Sequence, residues 1–376
     1  MPVSENIRQG SGIEISVAGR QNDAELRALM TQIPVGGGIV VTLEREPNFF
    51  EACRLHGEVQ VCVGRDRATG QVVGMGTRSI SRAYVNGIEA NLGYLADLRL
   101  LPEYRNGLLV ARAYRFLREL HGDGRSRLYT TVVFADNELA LRTIASGRAG
   151  LPRYHDLGVM HYPGINLTRR KPDIHGDFLI TFGNETLLPA IVACLNRNGA
   201  RRQFAPVHTV GDFRPGGRWV GLKAENFVVA SRNDQVVAAV AVWDQRPFKQ
   251  TRVLRYDGFY RWVAPGSTAL HRIFSTPNFP HPGEVVPYCY FSFLSVDDDD
   301  LEVCRALVRA AHNEGVNAGY LYAMISAHER DPLLPVIRAY RSTPFAGRLF
   351  CVSYEDGEEE LRKLDARVLS AEAASL

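Results

Sequence analysis

Residues 95–120 decide the fold, and they read LADLRLLPEYRNGLLVARAYRFLREL. An apolar strand stops at Pro102, and from Leu109 apolar residues recur every three or four positions, which predicts a strand, a turn and an amphipathic helix. A helix that begins directly after a strand leaves its first N–H groups unpaired, and its dipole adds about half a positive charge there. Because Arg105 adds a cation to the turn, the stretch predicts an anion site at the helix N-terminus.

The elements around this stretch occur twice along the chain. Residues 58–77 and 225–242 each predict a β-hairpin, and a strand that begins with Leu-Tyr follows at 128–134 and again in 321–331. Each copy reads helix, hairpin, third strand, helix, strand, helix and closing strands. The expected helices are 23–31, 109–120 and 138–146, then 186–197, 301–313 and 332–342; the third strands are 91–101 and 287–296, and the closing strands 157–162 and 348–354.

This repeat predicts an α+β protein with two tandem domains, each a mixed, mainly antiparallel sheet flanked by helices. The charged, proline-broken stretch Arg169–Asp173 is typical of a linker. The expected domains are therefore residues 1–170 and 171–376. Residues 262–287 contain five prolines and predict a long irregular loop, and the acidic stretch after Tyr354 predicts an exposed terminal helix.

The strand, Pro102, the Tyr104–Arg105 pair and the turn before the helix resemble the GNAT superfamily of N-acyltransferases. The order of elements in both copies is similar to that family's fold. The resemblance implies that the helix start holds the pyrophosphate of coenzyme A and that the strand pairs with its pantetheine arm. The implied cofactor-binding residues are Leu98, Arg99, Leu100, Arg105, Asn106, Gly107, Leu108, Leu109, Val110 and Asn137.

The sequence departs from the family pattern at two places. Leu108 and Val110 stand where the resemblance implies small residues, and a Cβ keeps a phosphate farther from the backbone. Ile144 stands where many members have the tyrosine that protonates the departing thiolate. Tyr154, Tyr129 or a water molecule is then the expected acid, with Tyr154 preferred.

The amine acceptor must lose a proton, so a carboxylate or a water chain near the middle strands is expected to accept it. Asp97 is the preferred candidate, because aspartate is disfavoured inside strands unless it has a role. Glu89 and Glu51 are the alternatives.

The second copy lacks the anion site. Its third strand is followed by Asp297-Asp298-Asp299-Asp300, and four carboxylates cap a helix but repel a pyrophosphate. The second domain is therefore expected to have a structural role or to complete the acceptor pocket, rather than to bind coenzyme A.

Composition excludes several other functions. The 376 residues carry a net charge of +3, which gives no electrostatic footprint for nucleic acid. No stretch reaches the roughly 20 apolar residues that span a bilayer, and the first residues do not form a signal peptide. The six cysteines form no CxxC pair, so reduced thiols, a cytoplasmic location and no metal site are expected.

The resemblance implies an N-acyltransferase, most simply one that moves acetyl from acetyl-CoA to a primary amine of a small molecule or amino acid. Attack would be direct, in a ternary complex, with acetyl-CoA or another acyl-CoA as co-substrate and no metal. One alternative resembles the long-chain N-acyl amino acid synthases, which use an acyl carrier donor. The other is a non-catalytic acyl-CoA sensor or scaffold. A monomer that forms an internal pseudo-dimer, or a homodimer, is expected.

Overall fold

The computed structural model describes residues 12–105, 108–135, 137, 141, 151–264 and 279–376. The expected helix 138–146, except for residue 141, and much of the expected loop 262–287 lie outside these residues. The strands are β1 (Ile13–Val17), β2 (Ile39–Glu44), β3 (Glu58–Asp66), β4 (Val72–Val85), β5 (Ile88–Leu100), β6 (Leu128–Phe134), β7 (Arg153–His161), β8 (Gly164–Asn166), β9 (Leu179–Phe182), β10 (Arg202–Gln203), β11 (Phe227–Arg232), β12 (Gln235–Trp243), β13 (Gln250–Tyr256), β14 (Tyr288–Val296), β15 (Tyr322–Met324), β16 (Ala327–His328), β17 (Ser342–Thr343), β18 (Ala346–Ser353) and β19 (Val368–Leu369). The helices are α1 (Asp23–Gln32), α2 (Phe49–Cys53), α3 (Leu108–His121), α4 (Leu188–Gly199), α5 (Tyr260–Val263), α6 (Leu301–Asn317), α7 (Leu334–Arg338) and α8 (Glu358–Arg362).

Two sheets organise the chain, as the α+β prediction requires. The first has the order β1-β3-β4-β5-β6-β18-β7-β16, and the second β17-β8-β15-β14-β12-β11-β9. Each sheet is antiparallel except at one central pair, β5 with β6 and β14 with β15, which run parallel. Both predicted hairpins, both third strands and both central helices form close to their expected bounds, because their periodicity is set by which side chains face the core.

The two halves of the chain exchange a strand. We call the residues up to 170 the first half and those from 171 the second half. Strand β18 of the second half lies between β6 and β7 in the first sheet, while β8 of the first half pairs with β15 in the second sheet. The expectation that 348–354 closes the second half is therefore wrong. A closing strand has the same apolar pattern whichever sheet it joins, so local sequence does not distinguish the two.

The exchange gives the halves a common core. Leu349 and Cys351 of β18 are fully buried in the same cluster as Ile191 and Trp243 of the second half and Met160 of the first. A two-stranded ribbon of β2 and β13 joins the halves a second time. The boundary at 170/171 stays a prediction, and pairing in both sheets crosses it.

The tail differs from the expected exposed helix. Only Glu358–Arg362 is α-helical, and the chain then extends, pairs β19 with β10, and buries Leu369, Ala373 and Ala374 in the common core. Those apolar residues gain more from burial than they would from forming an exposed helix. The tail thereby reaches the region between the two sheets.

Candidate functional site

Strands β5 and β6 separate soon after they meet. Their ladder consists of the pairs Gly93–Tyr129 and Tyr94–Thr130. The Tyr129 ring packs over Gly93, where a Cβ would lie 2.0 Å from Cδ1, so glycine is required at the closed end of this opening. Beyond Tyr94 the rest of β5 runs along the opening to the turn before α3. This is the segment for which pairing with pantetheine was expected.

Asp97 lies at a bulge in this segment of β5. Its φ is +53°, and the ladder to β4 shifts register between Met75 and Thr77. Aspartate tolerates this left-handed conformation better than most residues. In a regular strand Asp97 would share the face of Leu95, which packs against a separate apolar cluster. The bulge turns Asp97 instead toward the face of Tyr94. Burial raises the pKa of Tyr94, and the charge of Asp97 raises it further.

Cations surround the Asp97 carboxylate, whose side chain is 15% exposed. The Nη2 atom of Arg45 lies 3.9 Å from Oδ1, and the Arg45 side chain is only 6% exposed. Burial by itself would raise the pKa of Asp97, but Arg45, Arg99, His56 and Lys249 outweigh burial and lower it. We call these residues, together with Asp97, the charged cluster. Asp97 is therefore ionised at neutral pH.

The second half supplies one member of the charged cluster. Lys249 lies between β12 and β13, and its Nζ donates to the oxygens of Ala374 and Leu376 and lies 5.6 Å from the Tyr290 ring centroid. Burial, and then the charge of Arg45, lower the pKa of Lys249 to about 7. A lysine with such a pKa can gain or lose a proton near neutral pH.

His56 and Tyr94 form a stacked pair beside Asp97, with ring centroids 5.4 Å apart. Burial lowers the pKa of His56 to about 3, so its imidazole is neutral. The pair forms a flat, polar wall at the closed end of the β5–β6 opening.

Tyr162 presents a free hydroxyl near this wall. It is 1% exposed, and its OH has no hydrogen-bond partner within the described chain. Its ring lies 5.9 Å from that of Phe134, the last residue of β6. Burial, and then the neighbouring Tyr94 and Glu372, raise the pKa of Tyr162 well above its ordinary value. A buried, unpaired hydroxyl is costly, which makes it a candidate functional group.

The expected cofactor-binding residues lie along β5 and the turn into α3. Leu98 is 53% exposed beside the opening, whereas Leu100 packs against the core cluster that contains the buried Leu109. The exposed Arg105 donates through Nε to the Leu100 carbonyl at 3.1 Å. Val110 is half-buried, and Arg99 donates to the Ile33 carbonyl at 3.2 Å.

Three further expected residues are only partly described. Asn106, Gly107 and the side chain of Leu108 lie outside the described residues. Asn137 follows β6, and its N–H donates to the Phe134 carbonyl at 3.0 Å. Tyr104 fixes the turn, because its OH donates to Asp66 at 2.8 Å.

The two tyrosines expected as acids have engaged hydroxyls. The Tyr154 and Tyr114 hydroxyls lie 2.6 Å apart, and burial raises the pKa of Tyr154 well above its ordinary value. The Tyr129 hydroxyl accepts from Arg78 Nε at 3.1 Å and lies 2.9 Å from His121 Nδ1. Both contacts stabilise the sheet on the face away from the charged cluster.

The alternative carboxylates lie elsewhere. Glu89 pairs with Arg82 at 2.7 Å near the start of β5, and eight strand residues place it about 26 Å from Asp97. Glu51 lies in the first turn of α2, and its N–H donates to Asn48. The bulge thus brings Asp97, rather than Glu89, to the opening.

Sequence reasoning missed Arg45, His56, Lys249 and Tyr162. They come from four separate segments: Arg45, His56 and Tyr162 lie in the first half, and Lys249 joins them only when the halves pack together. Only composition could have drawn attention to one of them, because Lys249 is one of just four lysines among 44 lysines and arginines.

The second half contains a matching bulge with different surroundings. Phe293 of β14 has φ +59°, and the ladder to β12 shifts between Ala239 and Ala241. The Phe293 N–H donates to Glu372 at 3.1 Å, and burial raises the pKa of that carboxyl to about 7. Aromatic rings fill the remaining space, and they belong to His208, Phe213, Trp219 and Trp243.

The following turn in the second half is closed by ion pairs. Arg197 binds Asp297 through two hydrogen bonds, and Arg201 and Arg202 pair with Asp299. Asp300 caps α6 by accepting from two backbone N–H groups. A cavity of only about 50 Å³ remains beside Phe293 and Glu372, enough for one or two water molecules.

Within the described residues, no group of three or more histidine, cysteine or acidic side chains could hold a metal ion. No described helix is both long enough and apolar enough to cross a bilayer.

Comparison with known proteins identifies the fold. No protein-family model and no curated protein sequence matches the chain. Among solved structures, N-myristoyltransferase from Saccharomyces cerevisiae with bound myristoyl-CoA superposes with a TM-score of 0.58 at 10% identity, over 92% of this chain and 80% of that one. A GCN5-related N-acetyltransferase from Sphaerobacter thermophilus gives 0.53 at 11% identity, over 90% and 95%.

A third solved structure with a similar fold comes from a fungal protein. The GCN5-related glucosamine N-acetyltransferase region of a multi-domain GH3 β-N-acetylglucosaminidase gives a TM-score of 0.59 at 14% identity and covers 90% of this chain. The chain spans 38% of the length of that fungal protein. The resemblance to the GNAT superfamily is therefore confirmed at the level of the fold.

Proposed function

We propose that this chain is an acyl-CoA-dependent N-acyltransferase whose donor lies in the opening between β5 and β6. In the simplest case it moves acetyl from acetyl-CoA to a primary amine. The observation that carries the proposal is the bulge at Asp97, which lies in the segment of β5 beyond its ladder to β6 and holds a carboxylate next to Arg45. A merely structural strand gains nothing from an ionised aspartate at such a position.

The donor side of the site is formed by the first half. Beyond Tyr94 the backbone of β5 is available to the pantetheine amides along one edge. Arg105 is exposed at the end of this segment and α3 begins at Leu108, so both are suited to the phosphates of coenzyme A.

The acceptor side is formed by both halves. Asp97 and Arg45 come from the first half and Lys249 from the second, so the packing of the halves creates the charged cluster. Sites at domain interfaces are common, because two rigid bodies can enclose a small ligand from opposite sides. This arrangement supports the acceptor-completing role expected for the second half.

In the proposed reaction the amine nitrogen attacks the thioester carbonyl carbon. The C–N bond forms, the C–S bond breaks, and the carbonyl oxygen carries negative charge in between. A bulge N–H is suited to hold that oxygen. The second half offers a precedent, because the N–H of Phe293 at the matching bulge donates to a carboxylate oxygen.

Two protons move in this scheme. Asp97 accepts a hydrogen bond from the amine and orients it, while neutral Lys249 takes the proton that the amine loses, because its pKa lies near 7. Tyr162 donates its proton to the departing thiolate, and the proton that Lys249 took from the amine then restores Tyr162, so that amine and thioester become amide and free thiol. We prefer Tyr162 to Tyr154 for this step, because the Tyr154 hydroxyl is already paired with Tyr114.

Thermal shift and thiol release test the proposal together. Acetyl-CoA is expected to raise the Tm, and free coenzyme A should appear when a panel of amines is added. A shift and turnover only with long-chain acyl donors would favour the long-chain alternative. A shift without turnover over the whole panel would favour a sensor, and the absence of any shift would contradict both enzyme readings.

A further inference from the structure

We propose that the acceptor is a zwitterionic amino acid, whose carboxylate binds Arg45 and Arg99 while its amine faces Asp97. This inference rests on the proposed acyltransferase function and narrows its acceptor class. It starts from an imbalance of charge in the charged cluster, where buried guanidinium groups outnumber the carboxylates that could pair with them.

Neither guanidinium has a carboxylate at hydrogen-bond distance among the described residues. Arg45 donates to the Glu44 carbonyl at 3.2 Å, and its approach to Asp97 is 3.9 Å, longer than a hydrogen bond. Arg99 donates to the Ile33 carbonyl, and its buried Nε has no partner. A buried guanidinium without a hydrogen-bonded carboxylate destabilises the fold. A ligand carboxylate that pairs with these guanidinium groups would explain why the chain keeps them.

The other charged groups around the charged cluster do not supply the missing anion. Glu44 is bound by Arg252 at 2.8 and 3.0 Å, so its charge is already paired. Arg218 adds a further cation near His56 and donates to the Leu55 carbonyl at 2.8 Å. The Lys249 amino group donates to the oxygens of Ala374 and Leu376.

An amino acid matches this arrangement group by group. Its carboxylate and amine are joined through one carbon atom, and Arg45 and Asp97 lie correspondingly close together. Guanidinium groups favour carboxylates because two N–H donors can meet two oxygens at once. With its carboxylate held there, the amine lies on the Asp97 side, which faces the β5–β6 opening where the thioester is proposed to lie.

Matched substrates test this with the wild-type protein. Thiol release from acetyl-CoA is measured with phenylalanine, phenylalanine amide and phenethylamine, and with the same three forms of leucine and glutamate. We expect kcat/KM to be about 10- to 100-fold higher for at least one free amino acid than for its amide and its decarboxylated amine, because a hydrogen bond to a charged group is lost in each. Equal or higher values for the forms that lack the α-carboxylate in every series would overturn the inference while leaving the acyltransferase proposal intact.

Substitutions test whether Arg45 and Arg99 cause the preference for the free amino acid. Arg99→Gln and Arg45→Gln should each reduce the preference for the free amino acid about tenfold through KM, with Arg45→Lys retaining part of it. Arg82→Gln, on the exposed face of β4, is the control and should change nothing. Full retention of the preference in both folded glutamine variants would contradict the assignment of the residues.

An equilibrium readout separates this inference from the function on which it rests. The preferred amino acid is expected to raise the Tm of the wild-type protein without any acyl-CoA, and not that of Arg99→Gln. If thiol release fails with every amine but this shift occurs, the acyltransferase proposal fails and the carboxylate site stands. If thiol release occurs with amines that lack a carboxylate and no amino acid shifts the Tm, the acyltransferase proposal stands and the carboxylate site fails.

Discussion

Asp97 in β5 and Phe293 in β14 stand at matching bulges, with φ angles of +53° and +59°. Around Asp97 the chain gathers Arg45, Arg99 and Lys249, and around Phe293 it gathers Trp219 and Trp243. The backbone geometry is the same, but one bulge is surrounded by charge and the other by rings. The contrast extends to the turns that follow, where Arg105 is exposed in one and three aspartates are ion-paired or capping in the other.

The surroundings of Phe293 contribute apolar burial, whereas those of Asp97 contribute charged groups beside an opening. The rings around Phe293 bury a large apolar area and fill the space that a substrate would need. The charged cluster does the opposite, since it keeps costly charges next to an opening. Two similar bulges in one chain thus have different surroundings, and the second half packs against the first and contributes Lys249 and the tail.

The largest expected effect comes from removing the Tyr162 hydroxyl, which has no hydrogen-bond partner among the described residues. Tyr162→Phe should lower kcat about 10²- to 10⁴-fold, because the thiolate loses its acid. The Tm should stay the same or rise, since the lost hydroxyl has no partner. Tyr154→Phe is the matched control. A larger loss of kcat in Tyr154→Phe than in Tyr162→Phe would return the acid to Tyr154.

The next effect concerns the proton that the amine loses. Lys249 must be neutral to accept it, so kcat/KM in the wild type should rise with pH and level off above about 7. Lys249→Met should lower the plateau about 100-fold and remove this limb of the profile. Lys223→Met, at an exposed position of the second half, should leave the profile unchanged. An identical limb in Lys249→Met would assign it to another group.

The smallest effect concerns the carboxyl group of Glu372, which accepts the N–H of Phe293 at the second bulge. Its pKa rises from 4.5 to about 7 on folding, so the folded state holds the proton more tightly than the unfolded state. The free energy of unfolding should therefore fall by about 2 to 3 kcal/mol as pH rises from 4.5 through 7. Glu372→Gln should lack this fall, as measured by urea unfolding at pH 5 and 8, whereas exposed Glu302→Gln should keep it. Parallel curves for the wild type and Glu372→Gln would show that Glu372 titrates normally.

Much of the fold could be predicted because its strands and helices have distinct apolar periods. The hairpins and the central helices have them, and the repeat along the chain gave each assignment an independent check. The strand exchange could not be predicted, because β8 and β18 carry the same pattern whichever sheet they join. The tail was assigned from its acidic start, and its buried alanines lie beyond that start.

The candidate site could be predicted only where one segment carries it. Asp97 was conspicuous because an aspartate interrupts a strand, and Arg105 because it follows Pro102 in a helix-starting turn. Arg45 and Lys249 are about 200 residues apart, and only the packing of the halves brings them together. Tyr162 follows β7 without any pattern of its own, and its significance comes from having no partner.

Calorimetric titration with acetyl-CoA tests the central claim most directly, which is that only the first half binds the donor. We expect one site per chain in the wild type, its loss in Arg105→Glu, and its full retention in Asp298→Asn, which alters the exposed turn of the second half. Two sites per chain would contradict this account, as would a site that survives Arg105→Glu with unchanged affinity and weakens in Asp298→Asn.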